Sequence, residues 1–111
     1  MCALSYRFKL WVVNEKGDAV FGDGLATLLE KIEKHNSVLK AAKEIGMSYR
    51  YALHRITLAE ERLGESLVTR VRGGAKGGGS SQVTDSGKKL VEQYRNTQAK
   101  LQSILKNEHQ L

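Results

Sequence analysis

The sequence of residues 37–56 is SVLKAAKEIGMSYRYALHRI, and it decides the fold. Two helical segments follow one another here, VLKAAKEI and YRYALHRITLAEERL, with glycine and serine between them. Gly46 suits the left-handed turn that ends the first helix, and Ser48 is an N-cap for the second. Ala42 is small, so that a second helix can cross close above it. This register predicts a helix-turn-helix.

The second helix of this pair has two unlike sides. Ala52, Ile56 and Leu63 form an apolar stripe that predicts a buried face. The other side is basic and aromatic, and its residues are the candidate DNA contacts: Ser48, Tyr49, Arg50, Tyr51, His54 and Arg55. An ordinary helical hairpin remains the alternative, because a small residue four positions before a glycine is common by chance. The Ser48 register, the basic face and the strands that follow favour DNA binding.

The stretch after the helix pair, RVRGGAKGGGSS, runs from Arg70 to Ser81 and is rich in glycine. It is not a P-loop, because no Gly-Lys-Ser/Thr follows the first glycines. It is not a dinucleotide-binding loop either, because no G-x-G-x-x-G occurs in it. Its flanks, SLVTRVR and SQVT, are typical of short paired strands. We therefore predict a hairpin, or wing, whose basic residues reach an anion: Arg70, Arg72 and Lys76. The alternative is a solvated loop without a partner.

The remaining sequence completes the predicted architecture. SYRFKLWVV (residues 5–13) alternates as a strand does, NEKGD is a turn signal, and AVF is a short returning strand. Gly22 or Asp23 begins a helix that contains LATLLEKIEKH, and Thr84 is an N-cap for a helix over about 85–108. The expected fold class is mainly α with small β elements (α+β). It is a winged helix-turn-helix with an N-terminal β-hairpin and a long C-terminal helix, in a single domain over 1–111.

The charge of the chain is concentrated in its middle. The net charge is +6, and residues 37–89 carry ten basic and five acidic residues, a net +5. A local basic excess favours a polyanionic partner, because neutralised phosphates release counterions. Glu60 and Glu61 are expected to form a solvated face with Arg62.

Several function classes find no support in the sequence. Cys2 is the single cysteine, and no apolar run approaches the ~20 residues of a membrane span. The N-terminus lacks a signal-peptide pattern, so the cytoplasm is the expected location. Three histidines and Cys2 show no metal-ligand spacing: His35, His54 and His109. We expect no metal, no cofactor and no enzymatic activity.

The C-terminal helix carries a short heptad pattern. Its apolar seam has spacings of 4, 3, 4 and 3 and comprises Leu90, Tyr94, Thr97, Leu101 and Ile104. The first two residues are expected to pack on the protein's own first helix. Leu101, Ile104 and Leu105 extend further, which predicts a homodimer contact. The alternatives are a frayed tail and a dimer formed through the N-terminal sheet with Trp11 and Val13.

The segment AAKEIGMSYRYALHRI…LG…LVTRVRGGAKGGGSSQVTDSGKKLVEQY resembles the N-terminal winged-helix domain of ModE-type molybdate-responsive regulators, and more loosely LysR-type regulators. KLWVVNEKGDAVFGDG…LLEKI is similar to their upstream hairpin and first helix, so the likeness covers roughly residues 5–95. It implies a DNA-binding dimer whose second helix of the pair enters the major groove while the wing reaches the flanking backbone. It assigns recognition to Ser48, Tyr49, Arg50 and His54. In that family molybdate binds in additional C-terminal domains; the present sequence ends at Leu111, so we expect no molybdate-binding domain in it.

Two functions therefore compete. The first is a sequence-specific transcription regulator that binds double-stranded DNA. The second is an architectural, nucleoid-type protein that coats DNA through charge and dimerisation with little sequence specificity. Both use the same fold, and they differ in specificity.

Overall fold

The structure, a computed structural model, describes residues 4–71 and 80–108. Its elements in chain order are β1 (Val12–Val13), β2 (Ala19–Phe21), α1 (Asp23–His35), α2 (Val38–Glu44), α3 (Tyr49–Leu63), β3 (Val68–Val71), β4 (Ser80–Val83) and α4 (Asp85–Asn107). The strands form two separate antiparallel pairs, β1–β2 and β3–β4. The predicted α+β class with a winged helix-turn-helix is confirmed.

The core lies where α1, α2 and α3 meet. Helix α1 contributes four of the largest fully buried side chains, which are Leu25, Leu28, Leu29 and Ile32. The two helices that pack on it contribute mostly alanine, at Ala41, Ala42, Ala52 and Ala59, with Val38 and Ile56. Small side chains let helices approach closely, and this close packing fixes the position of α3 relative to the core.

The turn between α2 and α3 has the predicted conformation. Gly46 is left-handed, with φ of 74°. The Met47 amide donates to the Ala42 carbonyl at 2.9 Å, which closes the end of α2. The Ser48 hydroxyl accepts from the Tyr51 amide at 3.1 Å and caps α3. Local hydrogen bonds thus fix the direction in which α3 leaves the turn.

Ion pairs join α1 to α2. The Glu44 carboxylate lies 3.0 Å from Lys31 Nζ, 3.1 Å from Lys34 Nζ and 3.3 Å from His35 Nε2. These groups, Lys31 first, lower the pKa of Glu44 to about 2. Lys31 and Lys34 therefore connect α1 to α2 through their ion pairs with Glu44.

The two strands at the base of the wing pair with each other, and β4 is also hydrogen-bonded to the end of α1. Strands β3 and β4 pair from Val68 opposite Val83 to Val71 opposite Ser80. The Ser81 amide donates to the carbonyl of Asn36, the left-handed residue that ends α1, at 2.9 Å. The predicted strands beside the glycine stretch are confirmed, and residues 72–79, which connect them, lie outside the described residues.

Thr84 joins the wing to α4. Its hydroxyl donates to the Ser66 carbonyl at 2.7 Å and accepts from the Gly87 amide at 3.0 Å. Its amide donates to the Leu67 carbonyl at 2.9 Å. The predicted helix cap is confirmed, and the same residue also fixes the chain that leads into β3.

The N-terminal segment differs from the predicted strand over residues 5–13, because only Val12–Val13 forms a strand. The alternation itself is present: Phe8, Leu10 and Val12 are half-buried, and the residues between them are exposed. The Tyr94 hydroxyl donates to the Leu10 carbonyl at 2.9 Å. The segment thus lies along α4, and β2, with three residues, offers it little backbone to pair with.

Arg95 and Gln98 join α4 to α1, and Gln98 donates to Asp23 at 3.2 Å. Arg95 donates to Asp23 at 2.6 Å, to Glu30 at 2.7 Å and to Thr27 at 3.0 Å. The hydrogen bond from Arg95 lowers the pKa of Asp23, and Glu30 raises the pKa of Arg95. Asp23 therefore binds α4, and Gly22 is the N-cap of α1, without a side-chain bond.

The molecule is elongated. Its radius of gyration is 16.6 Å and its extents are 62 × 33 × 21 Å, whereas a compact chain of this length has a radius of gyration near ~13 Å. The end of α4 accounts for this shape, since Tyr94 is its last buried residue and α4 continues to Asn107. Within the described ranges, no helix combines the length and apolar character that crossing a membrane requires.

Candidate nucleic-acid interface

Helix α3 exposes the side that the sequence predicts. Arg50 and His54 are exposed and stand one turn apart, opposite the buried stripe of Ala52, Ile56 and Ala59. An arginine and an imidazole on one exposed helical face can donate hydrogen bonds to base edges or phosphates. This pair is the centre of the candidate interface.

Two tyrosines flank this pair. Tyr49 is 42% exposed and Tyr51 is 49% exposed, which is high for large aromatic side chains. Both belong to the first turn of α3, and their hydroxyls can donate to phosphate oxygens. Their exposure is consistent with a surface that another molecule covers.

Ser48 stands at the start of α3 and is exposed. Its oxygen already accepts from the Tyr51 amide. A hydroxyl has one donor and two acceptor sites, so that the capping bond leaves the Ser48 proton able to donate to a DNA oxygen. Ser48 therefore has the chemistry of a positioned phosphate donor.

Arg55 follows Tyr51 by one helical turn, but it is not exposed as the other candidates are. It is half-buried and lines a cavity of about 100 Å³ together with Trp11 and Phe21. Five residues along a helix correspond to roughly 140° of rotation from Arg50. The hairpin β1–β2 packs against this side of α3, and sequence periodicity alone did not reveal that neighbour.

Thr57 is an exposed residue that the sequence-based prediction did not include. It follows Arg50 by seven positions and His54 by three, so that it continues the same face of α3. That spacing was visible in the sequence and could have identified it. Thr57 extends the candidate surface toward the C-terminal half of the helix.

The wing has one described basic candidate. Arg70 is exposed on β3 and pairs with Ser81 on β4. The other two candidates, Arg72 and Lys76, lie outside the described residues. Thr69 and Gln82, which face each other across the strands, add exposed polar side chains to the wing.

Glu60 does not form the solvated face that the sequence predicts. It is half-buried, and its Oε2 accepts from the amides of Leu67 at 2.7 Å and Val68 at 3.2 Å. Arg62 also has a structural contact, because it donates to the Ala19 carbonyl at 2.7 Å. These partners lie outside α3, so that the periodicity of the helix does not predict the contacts. Glu61 is exposed as predicted.

The described residues show no metal site. Across 4–71 and 80–108, no three His, Cys, Asp or Glu side chains come together in a way that could hold a metal ion. Two of the residues considered for a metal site, Cys2 and His109, lie outside those ranges. The chemistry that this surface offers is hydrogen bonding and positive charge.

Comparison with known proteins agrees with this geometry. The chain is 36% identical over 105 residues to the protein named molybdenum transport protein ModE of Azotobacter vinelandii, a match that covers 95% of this chain and 38% of that protein. It is 33% identical over 94 residues to the molybdenum-pterin-binding protein MopB of Rhodobacter capsulatus, covering 85% of this chain and 34% of that protein. The chain thus spans little more than a third of the length of these relatives.

The family match covers the site itself. Residues 25–88 match the family described as bacterial regulatory helix-turn-helix proteins of the lysR family. That range contains α2, α3, both strands of the wing and all but the first two residues of α1. The expected likeness to ModE-type and LysR-type regulators is confirmed. The chain belongs to the lysR family of bacterial regulatory helix-turn-helix proteins, which are DNA-binding transcription regulators.

Proposed function

We propose that this chain is a sequence-specific regulator that binds double-stranded DNA through the major groove. The observation that carries the proposal is the pair Arg50 and His54, exposed together in the N-terminal half of α3. In helix-turn-helix proteins the N-terminal residues of the second helix meet the base edges. An arginine there can donate two hydrogen bonds to guanine O6 and N7, which discriminates among base pairs.

The groups around that pair suit the phosphate backbone. Ser48, Tyr49 and Tyr51 start the helix, and their hydroxyls can donate to phosphate oxygens on either side of the groove. Such contacts fix the register of the protein on the duplex and carry no sequence information. We assign base recognition to Arg50 and His54 and positioning to the three hydroxyls.

The wing has a backbone role in this proposal. Arg70 is exposed on β3, and the sequence adds Arg72 and Lys76 to the same hairpin. The base of the hairpin is bonded to α3 through Glu60 and to α4 through Thr84. A fixed base can present basic residues to the DNA beside the groove that α3 occupies.

The proposal includes a homodimer formed through the end of α4. About 13 residues of α4 follow Tyr94, or ~20 Å of helix. Ile104 is 56% exposed there, and Leu101 and Leu105 are half-buried. Leu105 lines a groove together with Tyr6 and Phe8, so that the chain's own N-terminal segment covers part of the tail. Two copies joined there read a pseudo-palindrome with half-sites one helical turn or a multiple apart.

The second surface considered for the dimer is the N-terminal sheet. Trp11 is 58% exposed and Val13 is 55% exposed. The apolar positions of the tail, in contrast, lie beyond Tyr94, the last buried residue of α4, and extend further than one small core needs. We therefore favour the tail, with one domain over 1–111 and α4 as the contact between copies.

The relatives' names connect them with molybdenum transport and molybdenum-pterin binding. For this chain we propose DNA binding without a cofactor and without enzymatic activity, in the cytoplasm with the chromosome. The described residues provide hydrogen-bond donors and positive charge, which suit DNA binding.

An architectural role is the competing function, and the net charge of +6 favours it, since charge alone supports binding to any duplex. Selection of bound molecules from a pool of random duplexes separates the two functions. A regulator enriches a two-fold motif and binds it ~10³-fold or more tightly than random duplex at physiological salt. Binding without any enriched motif would support the architectural role.

A further inference from the structure

A single carboxylate oxygen joins the recognition helix to the wing. Glu60 belongs to α3, and its Oε2 accepts from the Leu67 amide at 2.7 Å and the Val68 amide at 3.2 Å. The Ser66 hydroxyl lies 3.3 Å from the same oxygen and 3.2 Å from the Val68 carbonyl, and its single proton can be donated to either. Leu67 and Val68, where the chain enters β3, are therefore bound to one side chain of the helix that carries Arg50 and His54.

The chain between these bonded groups makes a tight turn. Gly64 ends α3 in the left-handed region, with φ of 79°, and its amide donates to the Glu60 carbonyl at 2.8 Å. Glu60 thus holds the turn from both its backbone and its side chain. Leu67 is fully buried beyond this turn, so that β3 starts from an anchored residue.

We propose that Glu60 is a positioning residue that fixes the wing relative to the recognition helix, so that base contacts by α3 and backbone contacts by Arg70 form on the same duplex. This inference rests on the proposed function. A carboxylate hydrogen bond to an amide is charge-assisted and about twice as strong as a neutral one. Without it, β3 retains Thr84 and the strand pairing, but is no longer linked directly to α3.

A direct contact between Glu60 and DNA is the alternative role. A carboxylate repels phosphate, and it can accept from cytosine in the major groove. Oε2 already accepts from two amides, which fixes the carboxylate toward the start of β3, and the residue is half-buried. The geometry thus favours a role through the wing.

Three substitutions distinguish the length of the Glu60 side chain from its negative charge. Glu60→Asp keeps the negative charge and shortens the side chain by one methylene, so that the carboxylate no longer reaches β3. Glu60→Gln removes the charge and keeps an oxygen at the original distance. Glu61→Asp makes the same shortening at the exposed neighbouring residue and is the matched control.

The measurement is the salt dependence of binding to a random-sequence duplex, with and without Arg70→Ala in each background. Removing the neutralisation of one phosphate shallows the log–log slope by ~0.9. We expect Arg70→Ala to produce that change in the wild type, in Glu61→Asp and in Glu60→Gln. In the Glu60→Asp background, Arg70→Ala should change the slope by less than half of that amount, because Arg70 no longer lies against the DNA backbone.

Amide hydrogen exchange in the free protein gives a second readout that does not depend on DNA. Glu60→Asp should accelerate exchange at Leu67 and Val68 most. Glu60→Gln should accelerate it less, because a neutral oxygen still accepts from both amides, and Glu61→Asp should leave it at the wild-type rate. This readout also applies if a variant binds DNA too weakly for a slope.

Any of three results overturns the inference. The first is a full ~0.9 effect of Arg70→Ala in Glu60→Asp. The second is unchanged exchange at Leu67 and Val68 in the same variant. The third is a reversed pattern, with Glu60→Gln altered and Glu60→Asp normal, which would make charge at the DNA surface the role of Glu60. A wild-type chain that binds no duplex overturns the proposed function itself, and the two failures are thereby distinguished.

Discussion

Gly87→Ala should destabilise the protein at the junction of the wing and α4. Gly87 is buried in the first turn of α4. A Cβ at this position would lie 2.7 Å from Val83 Cγ1 and 2.8 Å from the Leu67 carbonyl oxygen. Carbon atoms pack at ~3.5–4.0 Å, and carbon lies ~3.3–3.6 Å from a carbonyl oxygen. The added methyl therefore forces the Leu67 backbone and the Val83 side chain, or α4, to move.

The magnitude follows from these distances. Overpacking costs ~1–3 kcal/mol. The Leu67 carbonyl accepts from the Thr84 amide at 2.9 Å, and displacing it forfeits about 1 kcal/mol of hydrogen bonding. Replacing glycine in a helix returns ~0.5–1 kcal/mol. The net loss is about 2 kcal/mol, or roughly 10 °C in the midpoint of thermal unfolding for a domain of this size.

Urea denaturation followed by circular dichroism measures this loss, with Gly24→Ala as the control. Gly24 also lies in the first turn of a helix, and a Cβ there meets no heavy atom within 4 Å. Gly24→Ala should leave stability unchanged or raise it by up to about 0.5 kcal/mol. If Gly87→Ala proves as stable as Gly24→Ala, the described packing at the wing base is refuted.

Three further predictions concern the wing, the tail and acid stability. Replacing the wing residues Arg70, Arg72 and Lys76 with alanine should weaken binding to all duplexes alike and shallow the salt slope by ~0.9 for each phosphate that is no longer neutralised; unchanged binding and slope would leave the glycine stretch as a mere loop. Polar replacements of Leu101, Ile104 and Leu105 should convert a dimer to a folded monomer in sedimentation velocity, whereas a variant that stays dimeric would favour the N-terminal sheet as the interface. Because its partners lower the pKa of Glu44 from 4.5 to about 2, its contribution to stability is complete above pH 4.5 and disappears as the pH falls toward 2. Glu44→Gln should therefore flatten the pH dependence of the unfolding midpoint in that window, and an unchanged profile would contradict the ion-pair account.

Features set by neighbouring residues were predictable from the sequence. Helix α3 begins after Ser48 and ends before Gly64 because a hydroxyl cap and a left-handed glycine act within one helical turn. The wing strands were predictable for the same kind of reason, since turn residues separate two β-prone segments. Exposure of Arg50 and His54 followed from the helical period and the position of the apolar stripe.

Features set by distant neighbours were not predictable in this way. The alternation over residues 5–13 indicates an extended chain with two unlike sides, but not whether a strand or α4 lies beside it. Arg55 is half-buried because a hairpin from another part of the chain covers it. Glu60 contacts amides that a left-handed turn brings back to α3. In each case the partner lies outside the helix or strand that contains the residue, and the periodic pattern of that element carries no information on it.

The most direct test of the central claim is the affinity of Arg50→Ala for the duplex that the wild type enriches, for its single-base variants and for random duplex. If α3 reads bases through Arg50, this substitution costs ~1–3 kcal/mol on the enriched duplex and relaxes the preference at one position of each half-site. Its affinity for random duplex changes much less. An equal loss on enriched and random duplex, with every base preference intact, would make Arg50 a phosphate contact and contradict the assignment of base recognition to this residue of α3.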